Sequence, residues 1–224
     1  MNSKKKTIIF DLDGTLADTS GDLIAAANHC FEDMGYRALL HPARDAPTAL
    51  LGGRAMLRCG LLRQDAFDES LVDFYYPILL SAYEQSLSKH TKLFPKVREV
   101  VHKLGEAGYL LGVCTNKPVA LAEQLMQEIG FRDPFLSLIG AGSLPVRKPD
   151  PRPFFAAVRL AGGHIDSSCL IGDSVTDYNT ANAAGVPSIL VDFGFAGQDL
   201  AALKPDALIT AFDQLPSALE KVGL

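Results

Sequence analysis

Short apolar runs, each followed by polar residues, constrain the fold of this chain more than any other feature. They are Thr7 to Asp11, Tyr109 to Thr115, Phe135 to Gly140, Cys169 to Asp173, Pro187 to Asp192 and Ala207 to Thr210. Runs of strand length with helical stretches between them are the pattern of parallel βαβ units. In the 95–107 segment, Val97, Val100, Val101 and Leu104 share one helical face, with Pro95 at the first turn and Gly105 and Gly108 near the end. Similar signals predict helices near 118–129, 151–161, 175–184 and 214–222.

From about Ala17 to Lys89 the pattern changes, and no strand-like run is evident. Ile24, Ala27, Cys30 and Phe31 fit one helix face, and Phe67, Leu71, Phe74, Tyr75 and Ile78 suggest a longer helix further on. A stretch this long between two strands of one sheet is expected to fold as a unit. The chain is therefore read as an α/β core of residues 1–16 and 90–224 with a small all-helical domain, 17–89, inserted after the first strand.

With 224 residues, 48% of them hydrophobic, the chain can bury a full core without a disulfide or structural metal. The formal net charge of −5 and the lack of a basic block argue against nucleic acid or a membrane as partner. Cys30, Cys59, Cys114 and Cys169 stand far apart and read as buried free thiols of a reducing compartment. Lys4, Lys5 and Lys6 precede an apolar run of only Ile8, Ile9 and Phe10, too short for a secretory signal. The expectation is a soluble, cytoplasmic protein, monomer or homodimer.

The chemistry gathers at the strand ends. Asp11 and Asp13 in Asp11-Leu12-Asp13-Gly14-Thr15 emerge on one side of the sheet's carboxyl edge, where open α/β folds bind ligands. Paired carboxylates there suit a hard cation such as Mg²⁺. Gly14 allows a sharp turn beside the ligand. In Cys114-Thr115-Asn116-Lys117-Pro118, Pro118 is expected at the first helical position, which brings the Thr115 hydroxyl and Asn116 amide to a helix N-terminus shaped for phosphate. Lys148, in Arg147-Lys148-Pro149-Asp150-Pro151, supplies a point charge able to reach across a cleft. Gly172-Asp173-Ser174-Val175-Thr176-Asp177 adds a further metal oxygen at Asp173, with Asp177 on the same face of the opening helical turn.

Each cluster alone has a structural reading. Asp13-Gly14 is a common turn, Ser174-x-x-Asp177 is a capping box, Thr115-Asn116 makes a turn or cap, and Lys148 is a solvated loop lysine. Their joint placement and complementary chemistry favour a site. Gly52-Gly53-Arg54 in the helical insertion offers an arginine for a second anion, against the plainer reading of a helix-connecting turn. His29, His41, His90, His102 and His164 show no metal-ligand spacing, and Tyr75, Tyr76 and Tyr83 read as core of the insertion.

Taken in order, Asp11-Leu12-Asp13-Gly14-Thr15, Thr115-Asn116, Lys148 in RKPDP and Gly172-Asp173-Ser174-x-x-Asp177 resemble the four motifs of the haloacid dehalogenase superfamily. The resemblance spans essentially the whole chain. Within the superfamily, CTNKP, RKPDP, IGDS and AAGVP make it most similar to the phosphoglycolate phosphatases. One departure is Lys96 after Pro95, where the family often has glycine.

The resemblance implies a Rossmann-like core and a helical cap that closes over a phosphoryl site. It implies Asp11 as nucleophile forming an aspartyl-phosphate, Asp13 as general acid and base, Lys148 stabilising transferred charge, and Thr115 with Asn116 binding phosphate. Mg²⁺ is implied on the Asp11 side chain, the Asp13 backbone carbonyl and the Asp173 side chain, with Asp177 acting through water or orienting Lys148. The implied activity is hydrolysis of a small phosphorylated metabolite, 2-phosphoglycolate being the named candidate, with substrate choice in the cap. A phosphosugar mutase and a non-catalytic phosphate-binding module are the alternatives; Asp13 disfavours a dehalogenase, which needs no acid for an alkoxide.

Overall fold

A computed structural model describes residues 5–193 and 199–224 of the chain; Lys4 of the N-terminal lysine cluster lies outside them. In chain order the elements begin with β1 (Thr7–Phe10), β2 (Ala17–Asp18), α1 (Ser20–Asp33), α2 (Pro42–Leu50), α3 (Gly53–Leu62), α4 (Glu69–Glu84) and β3 (Lys92–Leu93). They continue with α5 (Val97–Glu106), β4 (Leu110–Pro118), α6 (Val119–Glu128), β5 (Ser137–Ala141) and α7 (Arg152–Leu160). Last come β6 (Ser168–Gly172), α8 (Val175–Ala184), β7 (Ser188–Val191), β8 (Ala207–Ile209) and α9 (Leu215–Lys221). The chain forms two compact units, Met1–Ala17 with Leu93–Leu224, and Asp18–Lys92.

The first unit is built on a parallel sheet in the order β5-β4-β1-β6-β7-β8. All of β1 is buried, and it pairs on both sides, Phe10 lying opposite Val113 of β4 and Ile171 of β6. A strand covered on both faces needs apolar residues at successive positions, which Ile8, Ile9 and Phe10 supply. Ile9 packs with Phe154, Ala157 and Val158 of α7. Phe10 points the other way and meets the rings of Phe135 and Phe212 at 6.0 and 6.3 Å between centroids. The fold is thus α/β with a Rossmann-like parallel sheet and a helical insertion after its first strand. From β1 the connections run outward through β4 and β5 on one side and through β6, β7 and β8 on the other. The carboxyl ends beside β1 therefore form the topological switch point at which such sheets bind ligands.

The second unit packs α1 against α2, α3 and α4. Ile24, Ala27, Cys30 and Phe31 are all buried on one face of α1, as their spacing predicts. Asp45, with its side chain 2% exposed, is held by Arg63 at 2.6 Å and Arg44 at 2.9 Å and accepts the His41 amide. These charge-assisted bonds hold its carboxyl well below the ordinary range, with Arg63 making the largest contribution.

Three local expectations need correction. On α4 the buried residues are Val72, Tyr75, Leu79 and Tyr83, while Phe74 is 64% exposed and Phe67 precedes the helix at 48% exposed. Adjacent helical positions diverge by ~100°, so with Tyr75 facing inward Phe74 cannot; its ring lies edge-on to Tyr75 instead. Cys59 is only partly buried, unlike Cys30, Cys114 and Cys169. Finally, α5 starts at Val97 rather than at Pro95, because Lys96 interrupts with a left-handed φ of 67°.

Left-handed backbone strains a residue with a Cβ and does not strain glycine. Lys96→Gly is expected to raise the melting temperature by about 2–4 °C, partly offset by loss of the exposed Lys96–Glu99 pair. Thermal unfolding followed by circular dichroism checks this, and an unchanged or lower midpoint counts against it.

Candidate active site

The site is assembled at the carboxyl ends of β1, β4 and β6. Asp11 extends β1, its amide donating to the Ile171 carbonyl at 2.8 Å. Gly14, with φ of 83°, then turns the chain, its amide donating to the Ala17 carbonyl at 2.9 Å. Beyond β6 comes Asp173, and Ser174 caps α8: its hydroxyl accepts the Asp177 amide at 3.3 Å and donates to Asp177 Oδ2 at 2.5 Å.

At the centre lies Lys148, with its side chain 2% exposed. Its ammonium stands 2.9 Å from Asp11 Oδ1 and 2.6 Å from Asp177 Oδ1. The Asn116 amide donates to the Lys148 carbonyl at 3.0 Å and so ties the lysine's loop to the end of β4. Thr15 donates to Asp173 Oδ1 at 3.0 Å, so the first motif orients a carboxylate of the fourth. Oxygens of Asp11, Asp173 and Asp177 lie within 4.8 Å of one another. Asp11 Oδ1 is buried in an ion pair that lacks hydrogen-bond alignment, and so keeps acceptor capacity.

Burial dominates the electrostatics. It pushes the Asp11 carboxyl up to about 6, with the Lys148 charge opposing and the Asp177 charge reinforcing. Asp173 is raised well above the usual range, first by burial and then by Asp177 and Asp11. Burial would lower Lys148, but the Asp11 and Asp177 carboxylates outweigh it and hold the ammonium firmly protonated. The Cys114 thiol is pushed up to about 12, chiefly by burial, which makes it a poor nucleophile. A buried group of carboxylates so reluctant to ionise together suits a divalent cation with oxygen ligands.

The structure brings together Asp11, Asp13, Asn116, Lys148, Asp173 and Asp177 in the core unit, while Thr115, buried at the end of β4, accepts the Lys117 amide at 3.1 Å. Arg54 belongs to the other unit, where it pairs with Asp73 at 2.6 Å and lies over the Tyr76 ring, 4.7 Å from its centroid. The expected helix start at Pro118 is incorrect: β4 continues to Pro118, pairing with Ala141 of β5 after a register shift, and α6 begins at Val119. Gly140 makes this possible, since a Cβ there would lie 2.7 Å from the Lys117 carbonyl oxygen. Thr115 and Lys117 consequently share a side of an extended strand. Lys117, to which the sequence reading assigned no role, places its ammonium 2.9 Å from Asp13 Oδ1 with its side chain 3% exposed. The signal was the spacing of two from Thr115, hidden by reading the segment as a helix N-terminus.

A haloacid dehalogenase-like hydrolase family model matches residues 8–191, and the chain belongs to that family. It is an enzyme of the phosphoric monoester hydrolase class. The phosphoglycolate phosphatase of Mesorhizobium japonicum is 35% identical over 217 residues, covering 93% of this chain and 92% of the relative. That of Agrobacterium fabrum is 35% identical over 214 residues, covering 94% and 91%. A predicted phosphoglycolate phosphatase from Haemophilus somnus has the same fold, with a TM-score of 0.84, 24% identity and coverage of 97% and 99%.

Gly172 is where backbone and site meet. A Cβ at this position would come within 2.3 Å of Asp177 Cβ and Cγ. Gly172→Ala is therefore expected to displace Asp177, release Lys148 and cut turnover about 100-fold, with the fold retained. Phosphate release and circular dichroism check it; activity within a few-fold of the parent sinks the argument.

Proposed function

We propose that the protein is a Mg²⁺-dependent phosphatase that hydrolyses a small phosphomonoester, 2-phosphoglycolate foremost, through an aspartyl-phosphate on Asp11. The observation that carries this reading is the buried Asp11 carboxylate paired with Lys148 at 2.9 Å, at the switch point of the parallel sheet. The phosphoglycolate phosphatases that match at 35% identity support the substrate.

An Asp11 oxygen attacks phosphorus in line with the ester oxygen as the P–O ester bond breaks. Asp13 gives its proton to the departing alkoxide. It then takes a proton from the water that attacks phosphorus and breaks the aspartyl-phosphate bond, releasing inorganic phosphate and returning Asp11 to the carboxylate and Asp13 to its protonated form. Lys148, oriented by Asp177, offsets charge on Asp11 and the transferring group. Thr115 binds a phosphoryl oxygen, and Asn116 stands beside it while holding the Lys148 loop.

The raised Asp11 and Asp173 carboxyls and the buried acceptor on Asp11 fit a hard cation. The Asp11 and Asp173 side chains and the Asp13 backbone carbonyl would hold Mg²⁺, with Asp177 acting through water or Lys148; bound there, it supplies charge neutralisation toward the phosphoryl oxygens. In the inserted unit, read as the cap, Arg54 is the candidate for the substrate's second anion. We place the activity in the cytoplasm, in a monomer or homodimer. No helix among the described residues is long and apolar enough to cross a membrane.

Phosphate release from a panel of phosphomonoesters tests the proposal. Activity is expected to vanish with chelator, return with Mg²⁺, and fall about 10⁴-fold or more in Asp11→Asn. Undiminished hydrolysis by Asp11→Asn overturns the mechanism. A sugar phosphate isomer appearing without free phosphate assigns a mutase, and inertness on every ester points to a phosphate-binding module.

A further inference from the structure

We propose that Lys117 selects the leaving group, its ammonium pairing with a carboxylate carried on the carbon next to the ester oxygen. The inference rests on the role of Asp13 as the group that protonates that oxygen. It places substrate choice on the sheet edge of the core itself, and not only in the inserted helical unit.

Among the described residues, the core holds two buried lysines near the reacting groups, and they stand beside different carboxylates. Lys148 is committed to Asp11 and Asp177, on the side of the attacking oxygen. Lys117 lies 2.9 Å from Asp13, on the side of the departing one. An acid able to protonate the leaving oxygen must approach it to about 2.7 Å. The Lys117 ammonium is then within a few ångströms of whatever the adjacent carbon carries.

Burying an ammonium is costly, and a neutral donor could have held Asp13 in place. A buried cation 2.9 Å from the group that protonates the leaving oxygen is complementary to an anion carried beside that oxygen. When the ester is that of a hydroxy acid, its carboxylate and Asp13 share the ammonium. An ester with a neutral tail brings no anion to the Lys117 ammonium, and one with a cationic tail is repelled. The continuation of β4 through Pro118 sets this geometry, because Thr115 and Lys117 both lie buried along the extended strand while Asn116 between them is only partly buried.

The test compares kcat and KM for three esters of similar size, 2-phosphoglycolate, ethyl phosphate and phosphoethanolamine. They are measured on the parent enzyme, Lys117→Met and Lys117→Arg, with folding followed by circular dichroism. The parent is expected to prefer phosphoglycolate. In Lys117→Met the loss of kcat/KM on phosphoglycolate should exceed that on ethyl phosphate by about 30-fold, mostly through KM, and the penalty on phosphoethanolamine should shrink. Lys117→Arg should keep the preference.

Equal losses on all three esters overturn the proposal and leave Lys117 as a support for Asp13. A parent enzyme without preference for the carboxylate ester also overturns it, whether or not Lys117→Met folds. In both cases hydrolysis of ethyl phosphate that depends on Asp11 leaves the phosphatase reading standing. Ester hydrolysis that persists in Asp11→Asn removes that reading and this inference together.

Discussion

One buried ammonium organises the catalytic unit. Lys148 carries a full charge almost entirely out of water, a state that is tolerable only because Asp11 and Asp177 flank it at 2.9 and 2.6 Å. The converse also holds: burial alone would leave Asp11 and Asp177 as repelling, poorly solvated carboxylates. Each partner is supported in turn. Ser174 and the bare backbone of Gly172 let Asp177 sit where it does, and Asn116 anchors the backbone of Lys148. Disturbance of any of these supports is felt at the Asp11 oxygen.

That arrangement depends on the sheet. The residues come from segments far apart in the sequence, and the parallel pairing of β1 with β4 and β6 is what aligns their ends. The register places Asp11 one residue beyond Phe10, which lies opposite Val113 and Ile171. A shift of one residue would turn Asp11 to the other face. The apolar packing of Ile9 on one side and Phe10 on the other resists such a shift. In this way the hydrophobic core sets the electrostatics of a site that contains almost no apolar groups.

The inserted unit uses the same physics for a different end. Asp22, which is buried, accepts the amides of His90 and Thr91 and the Thr91 hydroxyl, so that it ties the start of α1 to the segment preceding β3. Asp45 does comparable work between α2 and the end of α3 through Arg63. Both oxygens of each carboxylate accept from protein donors. In the core, by contrast, Asp11 Oδ1 lacks a well-aligned donor. This difference separates carboxylates that hold structure from those suited to chemistry.

Much was determined by the sequence alone. Apolar runs ending in Asp11, Thr115 and Asp173 could hardly be anything but buried parallel strands with their polar ends at one edge, because covered strands must be apolar throughout and open α/β sheets bind at that edge. The periodicity of α1 and α5 likewise identified their buried faces. On α4 it did not: either Phe74 or Tyr75 could have faced inward, and packing against α1 and α3 chose the tyrosine. The partners were also invisible. Periodicity reports which side a residue faces, not which distant residue it meets. Only the tertiary structure, by carrying β4 through Pro118 under Gly140, placed Lys117 against Asp13, separated from it by 104 positions. Charge pairs across such separations depend on ångström distances that the register and the bulge decide, and local sequence carries no record of either.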